Sequence, residues 1–296
     1  MEIRYLRHDT IDKARWDAAL ALCPNGKIYA SSLYLDHMSP GWDALVQGDY
    51  EGLFPLPWRR KWGIHYVYAP FLTAQLGLFA PAPSRLQLAA FEAAIPAHFR
   101  LVELPLNEGN FFSDEKVTAR SNYVLPLNEP YETLQAAYRD NIRRNIRKAR
   151  QYGCRSETGT PLPEIITLAR AHARDEASLD AFTRLHQELD ARGQVRRYGV
   201  RSAEGQLLAS AVFLLDARRA YYILVGNHPN GRTLGASHLL IDSFIADHAG
   251  SGLLLDFEGS DLRNLAFFYS SFGARQELYP QWRIDRLPWW IRLVKS

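Results

Sequence analysis

The sequence predicts an α+β protein built from two copies of one strand-rich unit, and three observations carry that expectation. A chain of 296 residues has room for two domains of ordinary size, and with 47% apolar and 23% charged residues it can bury a sizeable core. The second half alternates strand-like and helix-like runs in the order strand, strand, strand, helix, strand, helix, strand. The first half repeats that order more faintly, which is the mark of an internal repeat.

In the first half, "WDALVQ" (42–47) turns at Gly48-Asp49 into "EGLFPLPW" (51–58), and "IHYVYAP" (64–70) follows as a third strand. "PSRLQLAAFEAAIPAHF" (83–99) reads as a helix interrupted near Pro96, "RLVELPL" (100–106) as the next strand and "RSNYVLPL" (120–127) as the last. The halves divide near residues 126–130, giving domains 1–128 and 129–282 and a tail, 283–296. In the second half, "LPEIITLARAHARDEASLDAFTRLHQELDARG" (162–193) has mostly helical spacing and stops at Gly193. "VRRYGVR", "LLASAVFLL" and "AYYILVG" are strands separated by turn residues. A glycine turn, a helix carrying Leu240, Ile241, Phe244 and Ile245, the strand "LLLDF", a short helix and a strand near "ARQELYPQWRI" complete the order.

Net charge is +3, so bulk electrostatics does not point to nucleic acid and any basic site must be local. Cys23 and Cys154 lie in different halves with no metal-ligand spacing, as for two structural thiols in a reducing compartment. The first residues, "MEIRYLRHDT", have no apolar run of the secretory kind, and nothing approaches the roughly 20 apolar residues that span a bilayer. A cytoplasmic protein is expected. His172, His186, His228, His238 and His248 show no metal-binding spacing, so no metal is expected. There is no nucleophile-elbow or nucleotide-hydrolysing loop motif.

The chemistry-bearing residues concentrate in "DFEGSDLRNLAFFYSSFGA" (256–274). Asp256 and Glu258 sit two apart at a strand end and face one side if the strand persists, placed to orient or deprotonate an amine. Glu258 has an alternative as a helix-terminus charge, beside a cap at Ser260 or Asp261. Tyr269 can donate a proton to a leaving group, or belong to a core stripe with Phe267, Phe268 and Phe272. "NGRTLGAS" (230–237), between a strand and a helix, suits backbone binding of phosphate.

Arg139, Arg143, Arg147 and Arg150 recur along one face of a helix beside the apolar stripe of Ile142, Ile146 and Ala149, and Arg144 and Lys148 add a second row. Asp140 alone opposes them, so a phosphate-bearing partner is expected: a nucleotide-linked precursor, coenzyme A or a tRNA backbone. "PWRRKWGIHYVYAP" (57–70) interleaves cations with aromatics, as in a charged hairpin or a base-stacking surface. The tail "LPWWIRLVKS" (287–296) has the residues of a membrane-surface contact but is too short to anchor alone.

"GRTLGASHLLIDSFIADHAGSGLLLDFEGSDLRNLAFFYSSFGA" (231–274) resembles the carboxy-terminal signature of the FemABX-like transferases, which carry two tandem GNAT-type acyltransferase folds. Within it Arg232-x-x-Gly235-Ala236 resembles the pyrophosphate loop, and Asn264-x-Ala266-x-x-Tyr269-x-x-x-Gly273 the helix that supplies a tyrosine acid. "YRDNIRRNIRKARQYG" (138–153) resembles the basic helix between the halves, and Lys27 and Tyr29 fall in a stretch resembling the precursor-facing region. The resemblance implies two GNAT folds, each a mixed, mostly antiparallel sheet flanked by helices, with the tail packed back on the first.

It further implies acyl or aminoacyl transfer to an amine, with Asp256, Glu258 and Tyr269 catalytic. Arg232, Gly235, Ala236 and Asn264 would hold the donor, and Arg143, Arg144, Arg147, Lys148, Lys27 and Tyr29 a phosphorylated substrate. No tightly bound cofactor is implied; the donor is acyl-CoA or aminoacyl-tRNA. Ser237 replaces the last glycine or alanine of the loop, and the Asn-to-Tyr and Tyr-to-Gly spacings are compressed. A GNAT scaffold that binds a phosphorylated ligand without turning it over is the alternative.

Overall fold

Strand pairing sets the spatial order of the apolar runs. The structure, a computed structural model, describes residues 2–110, 118–170, 175–259 and 261–288. They form two compact units: one of the chain up to Arg120 with the stretch that starts at Leu278, the other of Ser121–Glu277.

The first unit contains β1 (Ile3–Leu6), α1 (Lys13–Leu22), α2 (Ser32–Met38), β2 (Trp42–Gln47), β3 (Gly52–Lys61), β4 (Ile64–Tyr68), α3 (Arg85–Ala94) and β5 (Phe99–Pro105). Side-chain oxygens of Asp12, Ser31 and Ser84 cap α1, α2 and α3, and α3 stops as Ile95 takes the extended backbone that Pro96 demands. Trp16, Trp42, Phe54, Phe91 and Phe99 fill the core. The second unit contains β6 (Thr118–Pro126), α4 (Tyr131–Ala136), α5 (Asp140–Gln151), β7 (Arg155–Thr158), α6 (Leu162–Ala169), α7 (Glu176–Ala191), β8 (Val195–Arg201), β9 (Leu207–Leu215) and β10 (Arg219–Asn227). It continues with α8 (Pro229–Leu234), α9 (Ala236–His248), β11 (Leu254–Asp256) and α10 (Arg263–Ser270), and β12 (Arg275–Asp285) runs from it into the first. Ile142 and Ile146 of α5 and Leu240 and Phe244 of α9 share one core with Phe213 and Tyr222 of the sheet.

The strands of the two units follow one plan: those of the first are ordered β1-β2-β3-β4-β5-β12 and those of the second β7-β8-β9-β10-β11-β6. Described pairs are antiparallel except β4 with β5 and β10 with β11. The sequence reads 120–127 as the last strand of the first half and the run near 274–284 as that of the second. Pairing assigns them the other way: Val124–Pro126 lie against Leu254–Asp256, and Gln281–Asp285 against Leu101–Pro105. Edge hydrogen bonding, not order along the chain, decides which strands they extend.

Other departures are local. The predicted 162–193 stretch holds two helices, α6 and α7, and the expected glycine turn at 230–237 is mostly helix. Pro229 suits a first helical position, and His228 Nδ1 accepts from the Asn230 amide at 3.2 Å, so α8 starts where a loop was expected. β1, α1, α2 and β7 are elements the sequence did not announce.

Candidate active site

The second unit has an opening in its sheet. β10 and β11 pair in parallel only at Arg219–Leu254, Ala220–Leu255 and Tyr221–Asp256. β10 then continues from Tyr222 to Asn227 along β9 alone, through a bulge between Ile223 and Gly226 with Leu224 in the left-handed region at φ 49°. Beyond Tyr221 the edge of β10 that faces away from β9 has no strand partner among the described residues. Peptide donors and acceptors on such an edge suit an extended ligand, and an amide turned by a bulge suits a developing oxyanion.

Asp256 ends β11 at this opening and is 3% exposed. Its Oδ1 accepts from Asn122 Nδ2 and from the Glu258 amide, each at 2.9 Å, and its Oδ2 from Arg219 Nη1 at 2.9 Å. Arg219 Nη1 also lies 3.3 Å from Glu277. A carboxylate held by three donors fixes the strand end and the turn after it, which argues against the sequence expectation that Asp256 itself handles the amine's proton. The turn puts Glu258 at φ 62°, a costly conformation for a residue with a side chain, and such strain gathers at functional sites. Asp261 accepts from the Ser121 amide at 2.9 Å, and Leu262 stands at the N-cap of α10 without a side-chain cap bond. Ser260, the other expected cap, lies outside the described residues.

Tyr269 is buried on α10, stacked on Phe257 with centroids 4.7 Å apart. Burial, and secondarily the charge of Glu258, push its phenol up to about 12, so it remains a proton donor at neutral pH. Its ring also neighbours Tyr123 at 6.4 Å and Tyr222 at 6.5 Å, so Tyr269 belongs to an aromatic core and feels the charge of Glu258 from within it. The structure thus brings Asp256, Glu258 and Tyr269 together.

The expected donor loop is not assembled as such. Gly235 has φ 79°, and a Cβ there would stand 2.7 Å from the carbonyl oxygen of Asn145 in α5. Ala236 is fully buried behind it. A carbonyl oxygen at that point opposes an anion, so the glycine is explained by the close approach of α5 and not by a phosphate. Arg232 and Asn264 are exposed on α8 and α10, and Ser237 Oγ donates to Asn227 Oδ1. His238, read in the sequence only as a histidine without metal-binding spacing, lies with Nε2 3.3 Å from Asn145 Nδ2 and its ring edge-on to Phe268 at 4.9 Å; burial lowers its pKa to about 4.

Along α5, Ile142, Ile146 and Ala149 are buried, as the stripe predicted. The cations divide. Arg143 is engaged by Asp140 at 3.0 Å and the Ala136 carbonyl at 2.6 Å, Arg150 by the buried Asp242 at 3.1 Å, and Arg139 lies over the Phe267 ring at 5.0 Å. Arg144, Arg147 and Lys148 have no ion pair among the described residues. In the first unit, Lys27 is 2% exposed with Nζ 2.7 Å from Glu108 Oε2, and Tyr29 is buried edge-on to Tyr34. Their expected contact with a precursor is corrected by that burial: a phosphate would have to displace Glu108. The partners Asn122 and Arg219 were missed because no short-range pattern links them to Asp256.

Among the described residues no group of His, Cys, Asp or Glu is arranged to hold a metal ion, and no helix is long and apolar enough to cross a membrane. His172 and the Trp289-Trp290 segment of the tail lie outside the described residues. Residues 136–263 match the family model described as an acetyltransferase (GNAT) domain. Among solved structures the chain is similar to FemX, at 13% identity over the whole of both chains and a TM-score of 0.69. It is similar to a tandem GNAT protein from the clavulanic acid biosynthesis pathway, at 14% identity over 97% of this chain and 99% of that one, with a TM-score of 0.58. It is also similar to the C-terminal domain of a putative lysylphosphatidylglycerol synthetase from Agrobacterium fabrum, at 11% identity over 96% of each chain, with a TM-score of 0.55. No curated protein matches the sequence. The expected α+β fold of tandem GNAT units is the fold of the chain.

Proposed function

We propose that the protein transfers an acyl or aminoacyl group from an activated donor to an amine, with the chemistry in the second unit, where residues 136–263 match the acetyltransferase (GNAT) domain model. The observation that carries this reading is the parting of β10 from β11 beside Glu258 and Tyr269. The donor lies extended on the open edge of β10, its carbonyl oxygen directed to an amide of the Leu224 bulge. Glu258 takes a proton from the incoming amine, directly or through a water molecule. The amine nitrogen bonds to the acyl carbon, the tetrahedral oxyanion is held by the bulge amide, and the carbon–sulfur or carbon–oxygen bond to the leaving group breaks. Tyr269 protonates the departing thiolate or ribose oxygen. Asp256, with Arg219 and Asn122, holds Glu258 in its turn.

Phosphates of the donor or acceptor go to Arg144, Arg147 and Lys148, the α5 cations without an ion pair. The covering of Gly235 by Asn145 favours a second reading, a scaffold that binds a phosphorylated ligand without turnover. Single-turnover assays with acetyl-CoA and with aminoacyl-tRNA, each with a mixture of amines, separate them. Transfer from either donor, weakened by Arg144→Ala and Arg147→Ala together, is the expected result. Binding of both donors with neither consumed would establish the scaffold reading instead.

A further inference from the structure

The first unit carries a feature that the transfer reaction does not use. The hairpin between β3 and β4 ends in Arg59-Arg60-Lys61-Trp62-Gly63, exposed throughout. Trp62 is 81% exposed and has φ 51°, followed by Gly63 at φ 78°. Two consecutive left-handed residues make the turn that joins twisted antiparallel strands, and its first position prefers Asn, Asp or Gly. A bulky indole there carries backbone strain, and at this exposure little packing offsets it.

Arg59 lies over the Tyr68 ring at 4.7 Å and Lys61 over the Trp62 ring at 4.8 Å. None of the three cations has an ion pair with a carboxylate among the described residues. The protrusion is convex: a Cβ added at Gly63 would meet nothing within 4 Å. Single-stranded nucleic acid is held in grooves where successive rings stack. A lone projecting tryptophan above a row of cations is complementary to a flat surface with anionic headgroups and an interfacial layer that favours indole.

We propose that this hairpin tip docks the protein onto an anionic phospholipid surface. Arg60 and Lys61 meet the headgroup phosphates and Trp62 enters the interface between headgroups and acyl chains. The inference stands apart from the transfer reaction, since these residues belong to the first unit.

The test is cosedimentation of the full chain with vesicles of phosphatidylcholine alone and of phosphatidylcholine mixed with phosphatidylglycerol, at low and at physiological ionic strength. Binding to the mixed vesicles only, weakened by salt, is expected. Neutralising two cations, Arg60→Gln with Lys61→Gln, weakens it about thirty-fold, at the roughly fivefold per basic residue that an anionic surface supplies. Trp62→Gly separates function from folding: it raises the melting temperature by about 2 °C, through relief of the turn, while weakening binding. Mixed vesicles left unbound, or bound equally by the variants, would overturn the proposal. So would vesicle binding unchanged in a hairpin variant that has lost affinity for single-stranded RNA.

Discussion

The two units share a strand order and a single parallel junction, and they differ in what becomes of the chain where that junction ends. In the first unit the chain leaves β4 at Tyr68 and returns to the sheet at Leu76. Leu76 bonds to Pro105 and Asn107 at 2.8 Å, and Phe79 exchanges backbone hydrogen bonds with Leu53 at 2.8 and 2.9 Å. Three buried asparagines complete the seal. Asn110 accepts from the Leu78 amide at 2.7 Å, and Asn25 and Asn110 donate to its carbonyl at 2.8 and 2.9 Å. Asn107 donates to Leu76 at 2.9 Å. In the second unit the residues after Tyr221 stay on β9, and the other edge has no strand among the described residues. One plan therefore gives a filled junction in one copy and an open one in the other, and only the open one lies beside a strained carboxylate and a buried phenol.

The largest effect that tests this contrast is on turnover. Glu258→Gln or Tyr269→Phe is expected to lower kcat about 10²-fold or more in single-turnover assays, the scale of a lost general base or acid. Turnover unchanged in both variants would remove the chemistry from the open junction. At the filled junction the expected change is in stability. Asn107→Ala removes the buried side-chain hydrogen bonds to Asn25, Leu76 and Leu78 and should cost about 2 kcal/mol in denaturant unfolding, with kcat per folded molecule unaltered. A loss of turnover there would mean that the seal also serves catalysis.

Gly235→Ala sharpens the contrast within the second unit. The left-handed backbone and the Asn145 carbonyl should make it destabilising by about 2 kcal/mol with or without donor, whereas a phosphate-binding glycine would show the loss chiefly in donor affinity. The smallest effect is that of pH. An unfolded imidazole takes up its proton near 6.5, while the buried His238 does so only near 4, so the unfolded state binds more protons in between. Stability should fall as pH drops across that window, by about 2 kcal/mol after allowance for partial exposure, and His238→Asn should flatten this part of the profile.

What the sequence allows to be read follows the range of the interaction responsible. Val195–Arg201 and Leu207–Leu215 were recognised to the residue because alternation and turn residues are local. The α5 stripe was clear from spacing alone, and Asp256, Glu258 and Tyr269 were found together because one short stretch contains them all. Their division of labour was not, since the groups that occupy Asp256 lie 37 and 134 positions away, at Arg219 and Asn122. Lys27 looked available for the same reason: Glu108, which neutralises it, is distant in the chain. Gly235 shows a different limit, because a phosphate and a closely packed carbonyl impose the same absence of a side chain.

The placement of β12 bears on the order in which the protein comes into being. The first unit borrows its last strand from Gln281–Asp285, so a growing polypeptide cannot complete that unit's strand set until the whole of Ser121–Glu277 has been made. Until then β5 presents a bare edge. The second unit is continuous from Ser121 to Glu277 and has its strands in hand earlier. Vectorial synthesis ordinarily lets the first-made domain mature first. Here the nascent chain is expected to reverse that sequence, with the open half acquiring its structure while the earlier-made half waits for its final strand.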